Sequence, residues 1–215
     1  MSKAPLSIAK VLLDARLGDL RYVLAEEREP YDPFGAVGEL FRLLDERGIG
    51  YVLVGGIAML QYVEGRNTRD IDLIMSPGDL ARMPEFELIS QDADFARGVF
   101  RGVQVDLLLT TNKVFEMVRR EMSVARPYAE KEIVCATVPG LLTLKLFALP
   151  SLYRQGEFAR AAVYEADIRA LSMLPEANLN AAIERLRRHM LASDIEELGR
   201  LVADLSRRGE GFSSP

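Results

Sequence analysis

The chain offers very little sulfur or imidazole chemistry. Its 215 residues include one cysteine and one histidine. A single cysteine, Cys135, rules out a disulfide within the chain and fits a reducing compartment, the cytoplasm. It sits in the apolar run Ile133-Val134-Cys135-Ala136, which favours core packing over reactivity. The histidine, His189, lies in Arg187-Arg188-His189-Met190 and reads as a surface residue with no catalytic part. No uninterrupted apolar span is long enough to cross a membrane, and the first residues lack the long apolar core of a secretion signal. There is no internal repeat and no low-complexity tract. Long basic runs are missing too, and the net charge is −5, so an extended nucleic-acid surface is not signalled. A local basic patch stays open.

Against these absences stands an ordinary globular composition, 49% hydrophobic and 27% charged. The length suits one large domain or two small ones. One stretch organises the rest: Tyr51 to Met75, YVLVGGIAMLQYVEGRNTRDIDLIM. Tyr51-Val52-Leu53-Val54 is apolar enough for a buried strand. Gly55-Gly56 follows, then a helical run from Ile57 to Tyr62. A second strand begins near Arg69 and carries Asp70-Ile71-Asp72-Leu73-Ile74. Side chains alternate along a strand, so Asp70 and Asp72 share one face while Ile71 and Leu73 share the other. Two adjacent carboxylates repel, and burying them unpaired is costly. A hard divalent cation such as Mg2+ answers both problems. The plainer reading makes Gly55-Gly56 a turn and the aspartates solvated edge residues. Aspartate is depleted in strands, and two on one face of an apolar strand favour the metal.

Further along, Phe34, Val37, Leu40, Phe41 and Leu44 form the apolar stripe of a helix over 34–47, ended by Gly48. Ser76-Pro77-Gly78 is a turn. Phe95 to Thr110 reads as a hairpin about Arg101-Gly102. On its return strand Asp106 shares a face with Gln104, opposite Val103, Val105 and Leu107. It is either an ordinary strand acid or a third member of the cluster. A helix over 111–122, a second hairpin around Ala129–Glu132 and a buried helix over Leu141–Leu149 follow. In that last helix Lys145 is the one charge. It either snorkels at the core edge or has a partner and a task. Asp167 is either a helix-surface acid or the partner of Lys145 or Arg169. Ser193-Asp194-Ile195-Glu196 reads as a capping box opening the last helix. A helix over Ile8–Leu24 precedes the solvated run Glu26–Pro30.

The order strand, Gly-Gly, helix, Arg66-Asn67-Thr68-Arg69 and Asp70-Ile71-Asp72 resembles the nucleotidyltransferase superfamily that includes DNA polymerase beta. The resemblance points to its minimal members and the AbiEii-like toxin branch. It spans about residues 35–172 and is sharpest at 51–75. A third carboxylate on a neighbouring strand belongs to that pattern, and Asp106 takes the place. AbiEii-like members also carry a leucine-x-lysine-leucine helix, a loop arginine and a helix with aspartate. Lys145, Arg154 or Arg160, and Asp167 stand there, although Ala159-Arg160-Ala161 departs from the usual lysine-aspartate or arginine-aspartate.

The resemblance implies an α/β fold: a small mixed sheet flanked by helices, with a C-terminal helical bundle that closes a cleft. The expected division is an N-terminal helical extension over 1–30, a nucleotidyltransferase core over 31–138, a helical region over 139–206 and a disordered tail over 207–215. It implies transfer of a nucleoside monophosphate from an NTP to a hydroxyl on tRNA, a protein or a small molecule. Asp70, Asp72 and Asp106 would hold two Mg2+ ions, with Mn2+ the alternative. Gly55, Gly56, Arg66, Thr68, Lys145 and Asp167 would serve the nucleotide. An antitoxin would be the partner. Two other readings stand beside it: a nucleotide-binding module without turnover, and a structural protein whose bundle docks another chain. The acidic balance weighs mildly against a large RNA acceptor.

Overall fold

The computed structural model describes residues 5–17, 32–65 and 67–210. The chain splits into two compact units at the boundary between Ala136 and Thr137. The first holds α1 (Ile8–Leu17), α2 (Pro33–Glu46), β1 (Tyr51–Val54), α3 (Gly55–Met59), β2 (Ile71–Met75), α4 (Pro77–Leu80), β3 (Glu87–Gln91), β4 (Phe95–Phe100), β5 (Val103–Leu109), α5 (Lys113–Glu121), β6 (Ser123–Pro127) and β7 (Glu132–Ala136). The expected N-terminal helix is seen as far as Leu17. Its remainder, and the Glu26–Pro30 run, lie outside the described residues.

The seven strands form one sheet in the order β3-β4-β5-β2-β1-β7-β6. It is mixed: β2 runs parallel to β5 and β1 parallel to β7, while β1–β2, β3–β4, β4–β5 and β6–β7 are antiparallel. The central strands are the most apolar. Leu53, Ile71, Leu73 and Ile74 are fully buried, because strands with neighbours on both sides and helices over them have no wet face. The β4–β5 hairpin turns at Arg101-Gly102, as its sequence predicts. Both residues have positive φ, +48° and +80°, the backbone of a tight two-residue hairpin turn. β5 alternates buried and half-buried along its length, with Gln104 and Asp106 on the less buried side. α2 buries Pro33, Ala36, Val37, Leu40, Phe41, Leu43 and Leu44. Phe34, expected on that stripe, is instead 55% exposed in the first turn, and Pro33 takes the buried place. Gly48, at φ +59°, ends the helix.

The second unit is helical: α6 (Val138–Arg154), α7 (Phe158–Ser172), α8 (Leu179–Leu186) and α9 (Ala192–Glu210). Thr137 caps α6 by accepting the Gly140 N–H, so Pro139 falls in the first turn, where its missing N–H costs nothing. α6 passes the expected end at Leu149 and continues through Pro150 to Arg154. Burial of Leu149, Pro150 and Leu152 holds that last stretch in place. α9 opens one residue before Ser193, and the Ile195 N–H bonds to Leu191 O. Ser193, the expected N-cap, therefore lies inside α9, and Asp194 beside it accepts a 2.6 Å bond from Arg154. α9 runs on to Glu210, past the expected start of the tail at Arg207. Residues 211–215 lie outside the described residues. Among the described residues no helix is long and apolar enough to cross a membrane.

Candidate functional site

The site begins where β1 stops. Val54 is the last residue of β1 and pairs with Asp72 of β2. At Gly55 the backbone takes φ +64° and turns straight into α3. A side chain there would be strained by the backbone and would overlap the Asp72 carboxylate. Gly56 is constrained in a similar way. A Cβ on it would lie 2.6 Å from Thr68 Oγ1 and 2.7 Å from Thr68 Cβ. Thr68, nearly buried, donates its hydroxyl to Asp70 Oδ1 at 3.0 Å. The two glycines and the two aspartates therefore interlock: Gly55 makes room for Asp72, and Gly56 makes room for the threonine that holds Asp70.

Asp70 does not lie inside β2, as alternation had it, but just ahead of it. The ladders toward this end of β2 finish at Ile71 with Val105 and at Asp72 with Val54, so Asp70 has no strand on either side. It still joins the cluster. One carboxylate oxygen each from Asp70, Asp72 and Asp106 lie within 4.8 Å of one another. Asp106 arrives from β5, directly beside Asp72 in the parallel ladder. All three are half-buried. Oxygens sharing one Mg2+ at about 2.1 Å can be about 4.2 Å apart at most, and a second ion about 3.5–4 Å away widens that reach. Three carboxylates this close could hold a hard divalent cation.

Sequence reasoning missed Arg97. It lies on β4, opposite Asp106 in register. Its Nε donates to Asp106 Oδ1 at 2.8 Å and its terminal nitrogen to Oδ2 at 2.5 Å, a two-pronged guanidinium–carboxylate pair. Gln104 Nε2 adds a 3.2 Å bond to Oδ1. The Asp106 carboxylate, with Asp70 and Asp72 adding their fields, raises the pKa of the Arg97 guanidinium further above its ordinary value. The signal was available in the sequence. With Arg101-Gly102 as a two-residue turn, counting outward pairs Phe100 with Val103 and, three steps on, Arg97 with Asp106.

In the second unit Lys145 and Asp167 meet. Lys145 Nζ lies 2.7 Å from Asp167 Oδ2, and both side chains are almost wholly buried. Nζ also sits 4.0 Å from the centroid of the Tyr164 ring, a cation–π contact that the sequence did not suggest. Of the two arginines expected on a loop, Arg154 ends α6 and bonds Asp194, and Arg160 is exposed on α7. Arg66 lies outside the described residues. Cys135 is fully buried, and burial pushes its thiol pKa up, away from reactivity.

No family model and no curated protein matches the sequence. Solved structures do match the fold. An antigenic nucleotidyltransferase-like protein from Paracoccidioides brasiliensis superposes with a TM-score of 0.50 at 17% identity, over 90% of this chain and 95% of that one. The chain has a nucleotidyltransferase-like fold. Two structures of the antibiotic-resistance factor ANT(2'')-Ia also match it. One is a solution structure (TM-score 0.46, 13% identity, 82% of this chain and 92% of that one). The other is a complex with adenylyl-2''-tobramycin (0.47, 12%, 80% and 95%). Within the nucleotidyltransferase-like fold of this chain, the acid cluster and the glycine pair belong to the first unit. Lys145, Asp167 and Tyr164 belong to the second.

Proposed function

We propose that the chain is a metal-dependent nucleotidyltransferase that moves a nucleoside monophosphate from an NTP to an acceptor hydroxyl on tRNA, a protein or a small molecule. The observation that carries this is the packing of Gly55 against Asp72 and of Gly56 against Thr68, which holds Asp70, with Asp106 beside them in the ladder. Such close packing of glycines against acids is hard to account for as a mere turn beside solvated edge residues. Bound Mg2+ or Mn2+ would stabilise charge on the attacking and leaving oxygens. The three aspartates would hold it, with Thr68 orienting Asp70. The Gly55 and Gly56 amides, unobstructed by side chains, would contact the triphosphate. Arg66 and Lys145 would supply cations to the phosphates, Asp167 orienting Lys145 through their contact. Asp106 would accept the proton of the acceptor hydroxyl. In its finer form the reading is of an AbiEii-like cytoplasmic toxin held in check by an antitoxin.

One observation favours a second reading, a nucleotide-binding module without turnover. Arg97 already engages both oxygens of Asp106. The two readings separate on one experiment. Protein, Mg2+ and each α-labelled NTP are incubated with total cell RNA, lysate protein or small hydroxyl compounds. The enzyme reading expects label on one acceptor class, lost in Asp72→Asn. Tight NTP binding with no label anywhere sinks it in favour of the module.

A further inference from the structure

The row of side chains across the sheet carries an arrangement that the reaction does not require. Reading from β4 to β1, the register sets Arg97 beside Asp106, Asp106 beside Asp72, and Asp72 beside Val54. A fixed cation therefore lies at one end of the acid cluster. Its two nitrogens cover both oxygens of Asp106, and Gln104 covers Oδ1 as well. A carboxylate so engaged cannot also offer a full lone-pair set to a metal. Arg97 itself is half exposed, while Asp106 is 19% exposed. The arginine can thus swing toward solvent while the aspartate stays put. A guanidinium gives up such a partner at modest cost, because it is weakly hydrated and half in water already.

We propose that Arg97 is a resident counter-cation that competes with metal for Asp106, so that full metal loading at the cluster requires Arg97 to let go. The inference rests on the acids being the metal site proposed above. Asp106 then joins an ion at the cluster only when Arg97 is displaced. In the metal-free protein Arg97 offsets the repulsion of three crowded carboxylates. It is a positioning residue acting through Asp106, with no contact to substrate required of it.

The test is direct Mn2+ binding, by calorimetry and by the Mn2+ electron paramagnetic resonance signal, on four full-length proteins: wild type, Arg97→Met, Asp106→Asn and the double variant. Arg97→Met keeps the stem and removes the competitor. Its Mn2+ affinity should be about three- to tenfold tighter than wild type, the scale of losing one half-exposed two-pronged ion pair. In the Asp106→Asn background the same change should have little effect. Equal Mn2+ affinity in wild type and Arg97→Met overturns the proposal. So does equal tightening in both backgrounds, which would mean a long-range field rather than competition for Asp106. A second readout is the Arg97 Nε–H resonance, which should move on adding Mg2+ to wild type and stay put in Asp106→Asn. An Asp70→Asn protein that binds Mn2+ as well as wild type would sink the metal-site reading itself, and this inference with it. Loss of binding in Asp70→Asn with no effect of Arg97→Met would sink this inference alone.

Discussion

Gly55 shows how much one missing side chain can govern. It is required twice, by a backbone at φ +64° and by the carboxylate packed against it. A left-handed L-residue costs about 1–2 kcal/mol before any overlap is counted. Gly55→Ala should therefore lower stability by more than about 2 kcal/mol in urea unfolding. It should also weaken Mn2+ binding, because relief comes only by pushing Asp72 aside. Gly38 makes a useful control: a Cβ there meets nothing within 4 Å, and alanine is the better helix former. Full stability of Gly55→Ala would mean that the Gly55–Asp72 packing is not as described. At this scale the sequence was readable where side-chain identity alone carries the signal. Asp70, Asp72 and Asp106 fall together, the first two suggested by their spacing and the third by the resemblance. Arg97 was readable only by counting across the hairpin, since its meaning lies in the residue opposite it in the ladder.

At the scale of elements, the Lys145–Asp167 pair fastens α6 to α7. Both charges are almost fully withdrawn from water. Had Lys145 only snorkelled, Lys145→Met would be harmless. With Asp167 facing it, the methionine leaves a buried carboxylate without its cation, a loss of about 3–5 kcal/mol. Replacing both, Lys145→Met with Asp167→Leu, should recover most of that, because an apolar pair of similar volume avoids the desolvation. Thermal melting of the single and double variants decides it, and a single variant as stable as wild type would refute the ion-pair account. Elements themselves were legible where periodicity was strong: β1, the β4–β5 hairpin, β7 and the body of α2 all match their patterns. The mismatches lie at ends. The expected helix stopped at Leu149, yet α6 runs on through Pro150, where burial on both sides outweighs one lost hydrogen bond. A capping signature suggested a start at Ser193, yet the helix already opens at Ala192.

For the molecule as a whole, the division into units separates two kinds of chemistry. Every member of the acid cluster lies before Ala136, and the buried lysine pair lies after Thr137. If the cluster binds metal and the lysine pair binds phosphate, the two should separate experimentally. The stable double variant, Lys145→Met with Asp167→Leu, is expected to keep wild-type Mn2+ affinity. If Lys145 serves the triphosphate, its NTP affinity should fall about tenfold to hundredfold, the worth of one charge-assisted contact. Unchanged NTP affinity in that variant would refute the phosphate role and leave Lys145 a structural fastener. The fold class came from the resemblance carried by residues 51–75, with which the apolar strands and helical stripes agree. The order of the sheet was not legible, because β5 and β7 insert beside β2 and β1 through parallel pairings that no local turn encodes.

The packing of Gly55 against Asp72 also has a historical side. The two positions cannot drift independently. A lineage abandoning the chemistry could lose the aspartate first, and only afterwards would the glycine gain room to vary. The reverse order is barred, since a larger residue at 55 meets the carboxylate while it is still there. Decay of this site would have a direction, set by the order in which the two positions can change.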